Sequence, residues 1–345
     1  MERSPAPGMD QTPELVLRDH ADKTLDTKVS SHDDSKKLDT LVMSGGAVDA
    51  LAFLGCIQYL EESGTRDDFE VVVGTSAGAL LAFMFVLGYS ATEMRTWAVK
   101  RFSESGANQL NIDDLLFSYD TMGVDNGGRM EAFMADVLYA RLKVSDVSFL
   151  DLRQLTGGKR KLVVSASNLT TSRSEYFCED TWPHLSVLTA LRASSCVPYL
   201  FTPVKIGSAM FVDGGIFENL PLGACDMLGR HRSRVLAMNV WWEKPTKLPT
   251  DIVQYSWYLV SSILVRTNNP EKQKDDDDGV TLVHVHQHVG QCPRSENKPF
   301  MSFCMDTMQF VINEDTVQES IRQGHASIAE VMTTTNRRGP LSSDK

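Results

Sequence analysis

The sequence has no apolar run long enough to cross a bilayer. Its longest, Ala79–Leu87, is nine residues, against the roughly 20 that a spanning helix needs. The first twenty residues, MERSPAPGMDQTPELVLRDH, mix charges of both signs and hold no apolar stretch of signal-peptide length, so secretion is not expected. Positive charge is scarce: 34 Lys and Arg stand against 45 Asp and Glu, for a net charge of -11. That balance excludes a general nucleic-acid binder, which needs clustered cations to meet phosphates. Two short basic clusters, Lys159–Lys161 and Arg230–Arg234, read as solvated loop charge. The six cysteines never fall in C-x-x-C spacing, which argues against a zinc site or a disulfide framework and for reduced thiols. A cytoplasmic location follows, with peripheral association at a membrane surface left open. What is present, 42% hydrophobic and 23% charged residues in a chain of 345, suits one large α/β domain or two modest ones.

The polar, charged stretch at residues 1–37 is expected to be a mobile tail, followed by a domain over 38–335 and a second tail at 336–345. Within the domain, buried strands are predicted at Leu41–Met43, Glu70–Val73, Lys161–Ala166, Met210–Val212, Val235–Val240 and Val280–Val285. Helices are predicted at Ala50–Glu62, behind residue 76, through most of 92–142, at Leu185–Ser194 and at Phe310–Met332. Strands alternating with helices imply a mostly parallel central sheet flanked by helices. Residues 38–240 carry the motifs described below, and 241–335 form a helical C-terminal part.

Metal chemistry finds little support. In the charged loop NNPEKQKDDDDG at 268–279, setting Gly279 at the sixth position of a calcium loop puts Lys274 at the first, and the closing glutamate is missing. His284, His286 and His288 share one strand face, but no nearby Asp, Glu or Cys pattern completes a site. No metal and no cofactor is expected. Tyr255–Val265, YSWYLVSSILV, has helical apolar spacing that fits core packing, or contact with a membrane interface.

One stretch carries chemistry. In EVVVGTSAGALLAF (70–83), three valines run into Gly74-Thr75-Ser76-Ala77-Gly78 and then into a helix-forming apolar run. Such a strand, turn and helix places the central serine on an exposed, strained elbow. The flanking glycines let strand and helix pass without a Cβ between them, and the helix dipole favours a developing anion. Ser76 is therefore a candidate nucleophile, although a small residue in a tight turn would give the same five letters. A serine nucleophile needs a base, and the histidines stand in poor contexts: His184 follows a proline, and His231 lies among arginines. Asp213, between a strand end and Gly214-Gly215, is the better candidate. Partial desolvation could raise its pKa far enough for it to accept a hydroxyl proton. The competing reading is a turn aspartate that caps its own backbone.

Taken together, SGGAVDALAFLG (44–55), GTSAG (74–78), ASSCVPYLFTPV (193–204) and DGG (213–215) resemble, in order and spacing, the motifs of the patatin-like phospholipases. The resemblance covers about residues 38–240, with a looser tail to 335. It implies a patatin-like three-layer α/β fold and a calcium-independent phospholipase A or lysophospholipase, acting on lipid at a membrane or micelle surface. It also implies a Ser76–Asp213 dyad and a covalent acyl-enzyme, with the backbone N–H groups of Gly45, Gly46 and Ala47 holding the oxyanion. The loop departs from the family pattern at Ala47, Asp49 and Ala50, which stand where a glycine, a basic residue and another glycine are usual. Loss of one oxyanion donor costs about a hundredfold to a thousandfold in rate. The alternative reading is accordingly a weak or inactive patatin-fold protein that binds lipid or a partner.

Overall fold

The computed structural model describes residues 37–104, 120–241, 248–250, 252–267, 279–286 and 314–337. Residues 1–36 and 338–345 of the expected terminal tails, the aspartate run before Gly279, the helix break near Gly106, His288, Cys292 and Cys304 lie outside the described residues. The chain enters on β1 (Thr40–Met43), then passes through a 3-10 turn (Ala47–Leu51) to α1 (Ala52–Glu62). Next come β2 (Val71–Thr75), α2 (Ala77–Val86) and α3 (Ala91–Glu104). The middle of the chain forms β3 (Gly123–Asp125), α4 (Gly128–Leu142), α5 (Phe149–Leu155), β4 (Lys161–Asn168), β5 (Arg173–Phe177) and α6 (Val187–Ser194). It continues through β6 (Tyr199–Phe201), β7 (Val204–Ile206), β8 (Ala209–Asp213) and α7 (Gly223–Met227). The last elements are β9 (Val235–Trp241), α8 (Ile252–Thr267), β10 (Thr281–His286) and α9 (Glu314–Arg337).

The main sheet runs β10-β9-β1-β2-β4-β8-β7, with β5 also on β4. The pairs from β10 through β9, β1 and β2 to β4 are parallel, while β8, β7 and β5 join antiparallel. The valine runs explain the parallel part, because such strands must be buried on both faces. Leu41, Met43 and Val72 feed the large core under α1, α2, α4 and α6, and Val42, Val71 and Val73 feed a second core with Leu220, Leu222 and Ala224. Apolar layers on both faces of one sheet make the expected three-layer α/β arrangement. On the larger face, α9 crosses α1 through two glycines. A Cβ on Gly55 would collide with the Ile321 carbonyl, and one on Gly324 with that of Ala52.

The sequence reading misses β3, β5, β6 and β7. Three of these are only three residues long, and β5 carries Arg173 and Glu175 with most of its length partly exposed. The first helix starts at Ala52 rather than Ala50 because residues 47–51 wind as a 3-10 turn. The last continues to Arg337, past Met332.

Candidate active site

At the elbow, Ser76 holds φ 52° and ψ -124°, a conformation that costs a non-glycine residue about 1–3 kcal/mol. The two glycines of the motif explain why the chain tolerates it. A Cβ on Gly74 would lie 2.5 Å from the Gly78 carbonyl, and one on Gly78 would strike the Ser44 carbonyl at the end of β1. Strand, helix and neighbouring loop therefore meet at main-chain contact. The Ser76 N–H donates to the Ser194 hydroxyl at 2.8 Å.

The register of β4 decides where Asp213 goes. β5 occupies one edge of β4 along Val164–Asn168. The other edge is shared: β2 pairs along it as far as Thr75↔Ser165, and β8 arrives from the opposite direction and ends at Asp213↔Ala166. Two strand ends meet head to head at adjacent positions of one neighbour, and the residues leaving them are Ser76 and Gly214.

Asp213 is 2% exposed. Its Oδ1 accepts the Gly215 N–H at 2.8 Å and caps the 3-10 turn that follows. Its Oδ2 is buried and has no hydrogen-bond partner among the described residues. One carboxylate oxygen thus performs the turn-capping role, and the other is left over. Burial raises the Asp213 pKa from 3.8 to about 6, while the Ser76 side chain and the Gly215 N–H hold it below what burial alone would give. No hydrogen bond within 3.5 Å closes on Oδ2, so hydroxyl and carboxylate are neighbours not yet joined.

The glycine-rich loop lies against this pair. A Cβ on Gly45 would sit 3.2 Å from the Ser76 Cβ, and one on Gly46 would sit 2.8 Å from Val240 Cγ2. The Gly45 N–H donates to the Asn219 carbonyl at 3.2 Å. The N–H groups of Gly46 and Ala47 have no acceptor among the described residues. Ala47 holds φ 45°, so the residue standing at the usual glycine takes the backbone shape that glycine favours.

The family model described as patatin-like phospholipase matches residues 41–226. The chain belongs to the patatin-like phospholipase family. Among its relatives, the probable lipid hydrolase 463L of Invertebrate iridescent virus 6 is 25% identical over 275 residues, covering 75% of this chain and 89% of that protein. The uncharacterized protein YqhO of Bacillus subtilis is 32% identical over 198 residues, 52% of this chain and 64% of that one. Among solved structures, VipD from Legionella pneumophila is similar over 86% of this chain and 67% of its own, at 18% identity and a TM-score of 0.49.

In this patatin-like chain two residues that sequence reasoning missed hold the site together. Asn219, 1% exposed, accepts the Gly45 N–H on its carbonyl and returns a bond from Nδ2 to the Gly45 carbonyl at 3.0 Å. Its Oδ1 lies 2.5 Å from where a Gly45 Cβ would be and 2.7 Å from a Gly215 Cβ, which requires glycine in both loops. Ser194 is the other. Asn219 lies shortly after the DGG motif and Ser194 within the 193–204 segment, but their contacts span 174 and 118 residues, and no local spacing announces them.

The remaining candidates lie elsewhere. No histidine among the described residues hydrogen-bonds Ser76 or Asp213: His184 is exposed, His231 bonds Ser233, and His325 pairs with Glu62. His284 sits on β10 at the far edge of the sheet. The described residues contain no group of three His, Cys, Asp or Glu able to hold a metal. Both basic clusters are paired, Lys159 and Arg160 with Asp67, Lys161 with Glu179, and Arg230 and Arg234 with Asp39. The four described cysteines are free and buried, and burial pushes the Cys225 thiol up to about 12, which keeps it inert.

Proposed function

We propose that the protein is a lipid acyl hydrolase of the calcium-independent phospholipase A or lysophospholipase type, with Ser76 as nucleophile and Asp213 as base in a domain spanning 38–335. The observation that carries this reading is the meeting of β2 and β8 on one edge of β4, which sets a strained serine beside a buried carboxylate with one oxygen unpartnered. Ser76 Oγ attacks the ester carbonyl carbon as its proton passes to Asp213 Oδ2. The oxyanion is held by the N–H groups of Gly46 and Ala47, joined by that of Ala77 at the start of α2, where the helix dipole adds positive potential. Collapse returns the proton from Asp213 to the departing alkoxide and leaves acyl-Ser76. Water then attacks the acyl group, gives its proton to Asp213, and frees the fatty acid as Ser76 takes that proton back.

Two features support a lipid substrate. The first is the family, with a relative whose name is probable lipid hydrolase. The second is α8, whose Leu264 lies against Gly215 and whose Thr267 hydroxyl donates to the Gly215 carbonyl at 2.7 Å. Its outer turns expose Tyr255 (54%) and Leu259 (46%), and among its sixteen residues only Arg266 is charged. An apolar helix leading away from the aspartate loop suits acyl chains at a membrane or micelle surface. The second reading, a weak or inactive lipid-binding protein, draws on the engaged Gly45 N–H and on the φ of Ala47. A fluorophosphonate probe separates the two, because it reacts only with an activated serine. The wild type should label, and Ser76→Ala should lose both labelling and ester hydrolysis. Labelling that persists in Ser76→Ala moves the nucleophile elsewhere, and an unreactive wild type supports the second reading.

A further inference from the structure

The chain leaves the sheet at Thr75, and from there the Ser76 N–H has no ladder partner. The first-turn N–H groups of α2, from Ala79 and Leu80, bond back to the Ser76 carbonyl and leave that donor unserved. It is met by a side chain 118 residues away, the hydroxyl of Ser194, at 2.8 Å. Ser194 is fully buried and is the last residue of α6. That helix is itself anchored at its start by the Ser186 hydroxyl, which accepts the Thr189 N–H. Two residues beyond Ser194, the Cys196 carbonyl accepts the Asp213 N–H at 2.8 Å. The three-residue segment 194–196 therefore grips the main chain of the serine with one end and the main chain of the aspartate with the other.

We propose that Ser194 is a positioning residue for the Ser76–Asp213 pair. Its hydroxyl fixes the elbow, the Cys196 carbonyl fixes the aspartate, and the rigid end of α6 sets the separation between them. The inference rests on the dyad reading above and adds to it the group that holds the nucleophile in place. Without the hydroxyl, a partly buried N–H loses its acceptor and the strained elbow loses the bond that opposes its relaxation. A sub-ångström drift of Oγ away from Oδ2 lowers the rate of the chemical step and leaves substrate binding alone.

The test uses the full chain and a soluble short-chain p-nitrophenyl ester, with kcat expressed per fluorophosphonate-titrated site. Ser194→Ala should lose about ten- to a hundredfold in kcat per titrated site, with KM within about twofold. Ser194→Thr, which keeps the hydroxyl, should recover most of that loss, and Ser194→Cys, a poorer acceptor of similar volume, should fall between. The lower-pH limb of the rate profile should also move upward in Ser194→Ala, because the Ser76 hydroxyl no longer tempers Asp213. A purely structural role would instead reduce the number of titratable sites and the melting temperature while each surviving site kept the wild-type kcat. That result overturns the proposal, as does Ser194→Cys at full activity should Ser194→Ala fail to fold. A wild type that does not label at Ser76 sinks the dyad and the positioning role together. A labelled wild type with an unaffected Ser194→Ala sinks the positioning role alone.

Discussion

Replacing Asp213 by asparagine should abolish hydrolysis and make the protein more stable. The Asp213 carboxyl is buried, and its pKa is raised from 3.8 to about 6. Below pH 3.8 it is protonated in both the folded and the unfolded chain. Between pH 3.8 and 6 only the unfolded chain ionises it, so the folded state binds more protons and stability falls as pH rises. Above pH 6 both states are ionised and the deficit is constant. At about 1.4 kcal/mol per tenfold change in acidity, the rise from 3.8 to about 6 amounts to about 3 kcal/mol. Asparagine never meets this cost. Its Oδ1 can still accept the Gly215 N–H, and its amide fills the place of the unpartnered Oδ2 next to Ser76. Thermal unfolding of wild type and Asp213→Asn from pH 4.5 to 8 should give curves that differ by about 2 °C at the acid end and separate to roughly 5 °C above neutrality. Groups common to both proteins cancel in the difference. The same ionisation should govern the rate, with kcat/KM on a soluble ester rising through pH about 6 to a plateau as the base loses its proton. A stability difference that does not change with pH, or an Asp213→Asn protein less stable than wild type throughout, would refute the reasoning.

Two further substitutions test the loops around the dyad. Asn219→Ala removes the Nδ2 bond to the Gly45 carbonyl and opens a gap between two loops. It should cost about 1–3 kcal/mol in urea denaturation and, by letting the oxyanion loop shift, more than about tenfold in kcat; unchanged kcat would reduce Asn219 to a structural role. Ala47→Gly relieves a left-handed φ at an exposed position and should stabilise the fold by about 0.5–1 kcal/mol. A fall in the urea midpoint would mean that the Ala47 methyl makes contacts worth more than the strain.

What was legible in the sequence was what a short segment must satisfy by itself. The valine runs named the buried parallel strands, and Gly74 and Gly78 announced the elbow because both are needed where β2, α2 and the end of β1 touch at main-chain distance. Asp213 stood out for the glycines that follow it; its Oδ1 caps the turn, and its Oδ2 is left without a hydrogen-bond partner among the described residues. What was hidden depends on partners far away in sequence. Nothing near Gly45 reveals that its N–H belongs to Asn219, nothing near Ser76 names Ser194, and β5 carries too mixed a pattern to be read as a strand before β4 supplies its partner.

In the proposed dyad, the antiparallel entry of β8 is what brings the carboxylate to the serine. In an all-parallel sheet every strand delivers its C-terminal residue at the same edge, and residues from neighbouring strands stand side by side, a strand spacing of about 4.8 Å apart at the backbone. Here β2 and β8 lie on the same edge of β4 and point at each other, with Thr75 and Asp213 opposite the consecutive residues Ser165 and Ala166. The serine elbow leaves the end of one strand and the aspartate closes the other, and no histidine among the described residues hydrogen-bonds either of them. The carboxylate is buried, and that burial raises its pKa from 3.8 to about 6. Strand direction thus accounts for a serine and a buried carboxylate of raised pKa leaving adjacent positions of β4. The stability that Asp213→Asn should regain measures what this arrangement costs the fold.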